Sequence, residues 1–313
     1  MIISASRRTD IPSYYSDWFF RRLKEGYAYV RNPMNIHSVS NVSLHPDVVD
    51  GIVLWTKNPS PMLDHLSELS PYPYYFQFTL NAYQTDVEVG LPSKNDVLIP
   101  AFQRLSDMIG PDRVIWRYDP ILLNEKYTFN YHVEYFAKIA SKLKGYTKKC
   151  TISFIDYYRN TVNNVKGLHL LNMTENDKIA FAKALSQIAR NNSMQIDTCA
   201  EEIDLSTYGV THARCIDDKL LERISGFSLN IEKDKSQRLE CGCISSIDIG
   251  MYNTCKNGCK YCYANYSAKT VETNSHKHDP FSPLISGSID DTDIVKDRKV
   301  KSNKTTTQLN LFD

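Results

Sequence analysis

The chain has almost no charge imbalance, no long apolar run and few histidines, and each shortage excludes something. Lys plus Arg number 37 and Asp plus Glu 36, a formal charge of +1. That balance argues against a strongly basic nucleic-acid coat and against an acidic solvating tail, and leaves room only for a local patch. The longest apolar runs are strand-sized, such as Gly51-Ile-Val-Leu-Trp55, far short of the ~20 residues that cross a bilayer. At the start, Met1-Ile-Ile-Ser-Ala-Ser-Arg-Arg8 has no charged region ahead of a long apolar stretch, so no secretory signal is read there and the cytoplasm is the expected compartment, with no membrane partner. Also absent are a P-loop, a glycine-rich dinucleotide fingerprint after any strand, a Ser/His/Asp arrangement and an internal repeat.

What remains is an ordinary globular composition. The 313 residues are 42% apolar, 23% charged and 11% aromatic, enough for one large barrel or two medium domains. Short β-branched or aromatic blocks bounded by turn residues recur at Ile2–Ser6, Gly51–Thr56, Tyr74–Leu80, Arg113–Tyr118, Cys150–Asp156 and Met194–Cys199. Between them, apolar spacing predicts helices over Ser13–Lys24, Asn95–Ile109, Tyr131–Leu143 and Thr174–Asn191, and Tyr27–Arg31 reads as a further short strand. Strands alternating with helices give an α/β fold on a parallel sheet. The unit count is too small for an eight-stranded barrel of ~250 residues. A partial (β/α) barrel of about six units is expected over 1–240, with a doubly wound sheet as the alternative. Either fold collects its chemistry at the carboxyl ends of the strands. Lys57, Asn58, Arg117, Asp119 and Asp156 lie there and are the candidates for substrate or cofactor contact. Residues 241–267 form a cysteine-rich segment completing the barrel. Residues 268–313 are a polar tail, rich in Ser, Thr, Lys and Asp as far as 307, and read as mostly disordered.

Eight cysteines in a reducing compartment point to metal ligation more than to disulfides. The sharpest pattern is Cys255-Lys-Asn-Gly-Cys259-Lys-Tyr-Cys262. Three thiolates on one tight loop, with Gly258 letting the backbone curl, hold three corners of a cubane and leave one iron open. A structural zinc site normally takes four protein ligands and is the competing reading. Cys199, Cys215 and the pair Cys241-Gly-Cys243 approach the same end of the fold. Four thiolates suffice for a closed [4Fe–4S] or zinc site, the alternative being buried inert thiols.

The triplet, with Tyr261 directly before its last cysteine, resembles the cluster motif of the radical S-adenosylmethionine superfamily, and Tyr263-Ala-Asn265 resembles its spore photoproduct lyase and DNA repair photolyase branch. From Ser4-Ala-Ser-Arg-Arg-Thr-Asp10 through Trp116-Arg-Tyr-Asp-Pro120 to Asp248-Ile-Gly-Met-Tyr-Asn-Thr-Cys255, the chain is similar to the DUF1848 family, whose cysteine motif is C-terminal. The resemblance implies an enzyme, a lyase or transferase, in which Cys255, Cys259 and Cys262 bind a [4Fe–4S] cluster. S-adenosylmethionine would be cleaved on it to a 5′-deoxyadenosyl radical that abstracts hydrogen from DNA, a nucleotide or another substrate, with an electron-donor protein as partner. It places Tyr261 near the adenine, and Ser4, Arg7, Arg8 and Asp10 where the superfamily contacts the methionine amino group. No Gly-Gly-Glu stretch is present, which weakens that last transfer. In the superfamily the triplet follows the first strand; here it follows Ile244–Gly250. A circular permutation reconciles the two if that segment pairs with Ile2–Ser6. The end of the chain, Gln308-Leu-Asn-Leu-Phe312, resembles the pentapeptide by which bacterial replication and repair proteins dock on the sliding clamp. Two other classes stay open: a metal-stabilised module that binds nucleic acid or a clamp without catalysis, and an electron-transfer protein.

Overall fold

The short apolar runs of the sequence become the strands of one parallel sheet. In the computed structural model, which describes residues 1–305, the strands are β1 (Ile2–Ala5), β2 (Tyr27–Asn32), β3 (Asn35–Ser43), β4 (Gly51–Thr56), β5 (Tyr74–Thr79), β6 (Val114–Ile121), β7 (Lys149–Phe154), β8 (Gln195–Thr198), β9 (Thr211–His212), β10 (Ser228–Leu229), β11 (Ile247–Asp248), β12 (Ile294–Asp297) and β13 (Lys304–Thr305). Eight of them form the main sheet in the order β11-β1-β4-β5-β6-β7-β8-β9, each pair parallel. The helices are α1 (Ile11–Tyr14), α2 (Ser16–Glu25), α3 (Ile99–Ile109), α4 (Phe129–Leu143), α5 (Arg159–Asn164), α6 (Glu175–Asn191), α7 (Asp218–Ser225) and α8 (Ala268–His276). The six strand runs and four helices expected from periodicity are all present. β11 sits beside β1, with Ile3 opposite Ile247 and Ser4 opposite Asp248, so the segment before the cysteine triplet does pair with the first strand.

Successive side chains of a strand point to opposite faces, and here each face has its own core. Ile3, Ile52, Leu54, Phe76 and Trp116 pack with Trp18 and Phe19 of α2, Phe102 of α3, Phe136 of α4 and Phe181 of α6. Their neighbours Ile2, Val53, Tyr75 and Ile115 face the other way and pack against Cys215, Ile216, Leu221, Cys241, Cys243 and Ile244. A sheet covered on both faces explains why its strands read as nearly continuous apolar runs. Trp116 stacks on Phe136 at 4.7 Å between ring centres, and its indole N–H donates to the Leu80 carbonyl at 2.9 Å. Each such buried side chain contributes about 1.5–3 kcal/mol. α6 starts where the sequence places it, because Thr174 and Asp177 close a capping box.

The tail reading needs correction for 268–305. α8 lies in it, β12 runs parallel to β3, and β13 pairs with β10. Leu284, Ile285 and Ser286 are each 3% exposed. The composition is polar, yet the core has polar groups that need partners, and this segment supplies them. The Trp18 indole donates to the Ser282 carbonyl at 2.9 Å and Arg22 donates to the Phe281 carbonyl at 3.2 Å. The fully buried Asp50 accepts from the Met1 amino group, the Ser302 hydroxyl and the Asn303 backbone N–H. Few apolar anchors are required when backbone groups carry the contact. Gln308–Phe312 lies outside the described residues. Among those described, no helix is long and apolar enough to cross a membrane.

One buried histidine gives the fold a pH dependence. His132 is inaccessible, with Tyr118 Oη 2.8 Å from Nδ1 and the Leu122 carbonyl 2.8 Å from Nε2. Burial pulls it down from 6.5 to about 4. A depressed imidazole binds its proton more readily in the unfolded chain, so its contribution is whole above the unfolded pKa and is lost as pH falls from about 6.5 toward 4. Wild-type stability to urea should drop by roughly 3 kcal/mol over that window from this group, and His132→Gln should flatten the drop. An unchanged pH profile in the variant would refute the assignment.

Candidate functional site: a thiol-lined cavity

The second face of the sheet grades from apolar to polar along the strands. One pleat repeat beyond Ile2, Val53, Tyr75 and Ile115 stand Ser4, Trp55, Gln77 and Arg117; one further stand Ser6, Lys57, Thr79 and Asp119. The upper residues open onto a cavity of about 980 Å³ at the carboxyl ends of the strands. It gathers Arg7, Arg8, Asp10, Lys57, Arg117, Asp119, Asp156, Tyr261 and all seven of the cysteines proposed as ligands. Two proposed residues are elsewhere. Ser4 lies one layer too low, buried, with its hydroxyl donating to Asp248 at 3.0 Å. Asn58 follows Lys57 and so turns toward the helix side, where its carbonyl accepts from Ser13 Oγ at 2.7 Å.

The triplet loop is held in place by groups other than its thiols. Asn257 accepts from the Tyr14 hydroxyl at 2.7 Å and donates to Asp10 at 3.0 Å; Asn265 donates to the Cys255 carbonyl at 2.7 Å. Asn164 of α5 donates to the carbonyls of Cys262 and Asn265 at 2.8 and 2.9 Å, and the Tyr263 hydroxyl donates to the Arg7 carbonyl at 2.8 Å. Gly258 has φ +63, the left-handed region that glycine enters without strain, as the tight spacing implies. The Ala264 N–H points at Cys262 Sγ, 3.3 Å away. Burial pushes all three thiols up, Cys259 to about 12. They are therefore protonated until a cation displaces the protons. Asp10 ties the loop to the sheet, accepting also from the Lys57 N–H at 2.8 Å and Thr56 Oγ1 at 2.8 Å. Burial pushes its carboxyl up despite these bonds.

Behind the loop lies a charged network that sequence reading missed. Glu88 is 2% exposed and receives Lys57 at 2.9 Å, Lys94 and the Tyr261 hydroxyl. Burial pushes Glu88 up, but the two ammonium groups outweigh it and bring the carboxyl down to about 2. Burial pulls Lys57 down, and Glu88 with the Cys259 sulfur more than offsets that. Tyr261 accepts from Lys57 at 2.8 Å and from Asn81 at 3.1 Å, so its hydroxyl is anchored while its ring borders the cavity. The one available signal for Glu88 was Lys57 itself, since a lysine at a buried strand end requires a carboxylate.

On the facing part of the lining, Cys199 and Cys215 place their sulfurs 3.2 Å apart. Cys243 Sγ lies 3.4 Å from the backbone N–H of Ile216, the residue after Cys215, and Cys241 packs in the same cluster. Arg117 donates to Cys215 Sγ at 3.0 Å and pairs with Asp119. Tyr75 and Gln77 each donate to the Cys215 carbonyl at 2.8 Å. These four cysteines thus line one part of the cavity, with Cys199 and Cys215 in contact, but no three of their sulfurs lie within 4.8 Å of one another. Asp156 pairs with Arg238 at 2.8 Å at the mouth. Arginines of the lining lie over rings: Arg238 over Tyr158 at 5.9 Å and Arg8 over Tyr252 at 5.2 Å, and deeper, Arg7 over Trp55 at 5.6 Å.

The fold and site together are a parallel α/β sheet with seven cysteines lining one cavity at the strand ends. The chain belongs to the family described as Domain of unknown function (DUF1848), which it matches over residues 2–264. No curated protein matches it.

Proposed function

We propose that the protein is a radical S-adenosylmethionine enzyme built on a partial barrel that is circularly permuted, with the cluster loop moved from the beginning of the chain to the end. The observation that carries this reading is the three-cysteine loop, clamped without help from its thiols, entering the strand-end cavity from a strand seated beside β1. The fit of a cluster rests on chemistry and spacing. Ligands of one zinc ion stand about 3.8 Å apart when each bond is 2.3 Å. Among the described residues, the only three metal-binding side chains with donor atoms all within 4.8 Å of one another are His37, Asp290 and Asp293, so the triplet is spread more widely than one ion needs. Cys255, Cys259 and Cys262 would hold three irons and leave the fourth toward the cavity.

When bound, the reduced cluster and S-adenosylmethionine supply a 5′-deoxyadenosyl radical that takes hydrogen from substrate. The chain binds, orients and shields. Lys57 puts positive charge beside the cluster loop, and Glu88 and Asp10 fix the loop's position from two sides. Tyr261, its hydroxyl locked, would offer its ring to the adenine. Arg7 and Arg8 would meet the methionine end, and Asp10, whose oxygens are taken by Ser13, Thr56, Lys57 and Asn257, would act by holding the loop. Arg117 and Asp119 position the substrate at the floor. The arginines and rings at the mouth suit phosphates and bases, which favours DNA or a nucleotide as substrate, with Gln308–Phe312 bringing the enzyme to a clamp on DNA and a donor protein supplying the electron. A cavity of about 980 Å³ is more than an electron carrier needs. Anaerobic reconstitution with iron and sulfide, then assay for 5′-deoxyadenosine under reducing conditions, tests the reading. A brown protein that releases deoxyadenosine is expected; a colourless protein binding only zinc would defeat it.

A further inference from the structure

We infer that Cys199, Cys215, Cys241 and Cys243 hold a second iron–sulfur cluster whose irons are all ligated by the protein. The four come from three separate segments: the residue after β8, the turn after β9, and the loop that leads toward β11. Nothing in local sequence requires them to meet. They meet because the inner face of the sheet draws the 213–244 segment onto it. Cys215 is fixed through its carbonyl by Tyr75 and Gln77. The Cys-Gly-Cys turn is pressed against the same segment, so closely that a Cβ on Gly242 would stand 2.7 Å from the Ala213 carbonyl. Only glycine lets the two neighbouring cysteines come this near.

The surroundings are those of an anionic centre and not of a packing cluster. Four thiolates on a [4Fe–4S] core of formal charge +2 sum to about −2. Arg117 donates to Cys215 Sγ at 3.0 Å. Arg7 lines the same cavity, and its Nη2 is buried with no hydrogen-bond partner. A buried donor without an acceptor is costly, and the sulfurs of a cluster would supply one. One zinc ion on four thiolates carries the same charge of about −2, and the metal content measured below separates the two. The thiols must part for either centre: zinc ligands stand about 3.8 Å apart and the cysteine sulfurs of a cubane about 6 Å apart, whereas Cys199 and Cys215 stand 3.2 Å apart. Four ligands leave no open iron, so this cluster carries electrons and does not bind the methionine cofactor. That role rests on the function proposed above; the presence of the cluster does not.

The test is anaerobic reconstitution with equal ferrous and ferric iron and sulfide, which balances the core's charge without an added oxidant, each thiol releasing its proton to solvent. Three proteins are compared: wild type, Cys255→Ala/Cys259→Ala/Cys262→Ala, and Cys241→Ser/Cys243→Ser. Wild type should bind about eight irons and each variant about four, with circular dichroism confirming that both variants fold. After reduction, the signal left in the triple-alanine variant by electron paramagnetic resonance should not move on adding S-adenosylmethionine. If the wild type binds about four irons and loses them only in the serine variant, the second cluster stands and the function proposed above falls. A folded triple-alanine variant without iron, one zinc per chain at the four cysteines, or a Cys199–Cys215 disulfide in anaerobic protein overturns the inference. Should the variants not fold, wild type decides: one cluster whose signal shifts with S-adenosylmethionine also overturns it.

Discussion

Replacing Cys255, Cys259 and Cys262 together by alanine should reduce 5′-deoxyadenosine formation to the background of a reaction without protein, while the chain stays folded. The first half follows from the proposed chemistry, in which no other site binds S-adenosylmethionine and passes it an electron. The second half follows from the loop's anchors. Asn257, Asn265, Asn164 and Tyr263 hold its backbone and neighbours through hydrogen bonds that involve no sulfur. The thiols themselves are half-buried at the cavity wall, so their loss leaves little cavity in the core. The metal-free variant should therefore melt within a few degrees of the metal-free wild type, a shift of about 1 kcal/mol or less. Deoxyadenosine production that survives the triple substitution would remove the cluster from the mechanism. A variant that fails to fold would instead show that the loop depends on its sulfurs.

The largest effect on stability should come from Glu88→Ala. Glu88 is the sole carboxylate bonded to Lys57 and Lys94 among the described residues, and its side chain is 1% exposed. Deleting it leaves the Lys57 and Lys94 ammonium groups, 12% and 22% exposed, without their counter-charge, and breaking a buried pair typically costs about 3–5 kcal/mol. Urea unfolding at pH 7 should register a loss of that size. The pH dependence has a definite sign. Its carboxyl is depressed from 4.5 to about 2, so its contribution is whole above about 4.5 and drains away as pH falls toward 2. Adding Lys57→Met and Lys94→Met to Glu88→Ala should recover most of the loss, because an uncharged network has nothing left to compensate. The same variant should bind iron more weakly, since Tyr261, two residues from Cys259 and next to Cys262, loses its acceptor. Stability within about 0.5 kcal/mol of wild type for Glu88→Ala would mean the network is solvated and does not hold the loop.

The sequence by itself determined the α/β class, the six strand runs from Ile2 to Cys199, the four main helices and the loop of Cys255, Cys259 and Cys262. These are local properties: periodicity, caps and ligand spacing all act within a few residues. It also placed Lys57, Arg117, Asp119 and Asp156 at strand ends, because side-chain alternation and parallel direction fix which end is polar. Ser4 and Asn58 were assigned to the site by position in the chain; alternation turns Asn58 to the other face, while Ser4 is on the cavity face but one layer below its opening, buried against Asp248. Only the tertiary structure decided the rest. The main sheet reaches eight strands with β11, which lies in the Ile244–Gly250 segment expected beside β1, and with β9, whose two residues are too few to show any period and pair only with a neighbour already in place. The polar segment 268–305 is ordered because Trp18, Arg22 and Asp50, buried far away in the chain, need hydrogen-bond partners. Glu88 is invisible in a surface-like loop sequence, and its role exists only once folding takes Lys57 and Lys94 out of water. Cys215 is set beside Cys199 by long-range contacts with Tyr75, Gln77 and Arg117, which spacing along a chain does not encode.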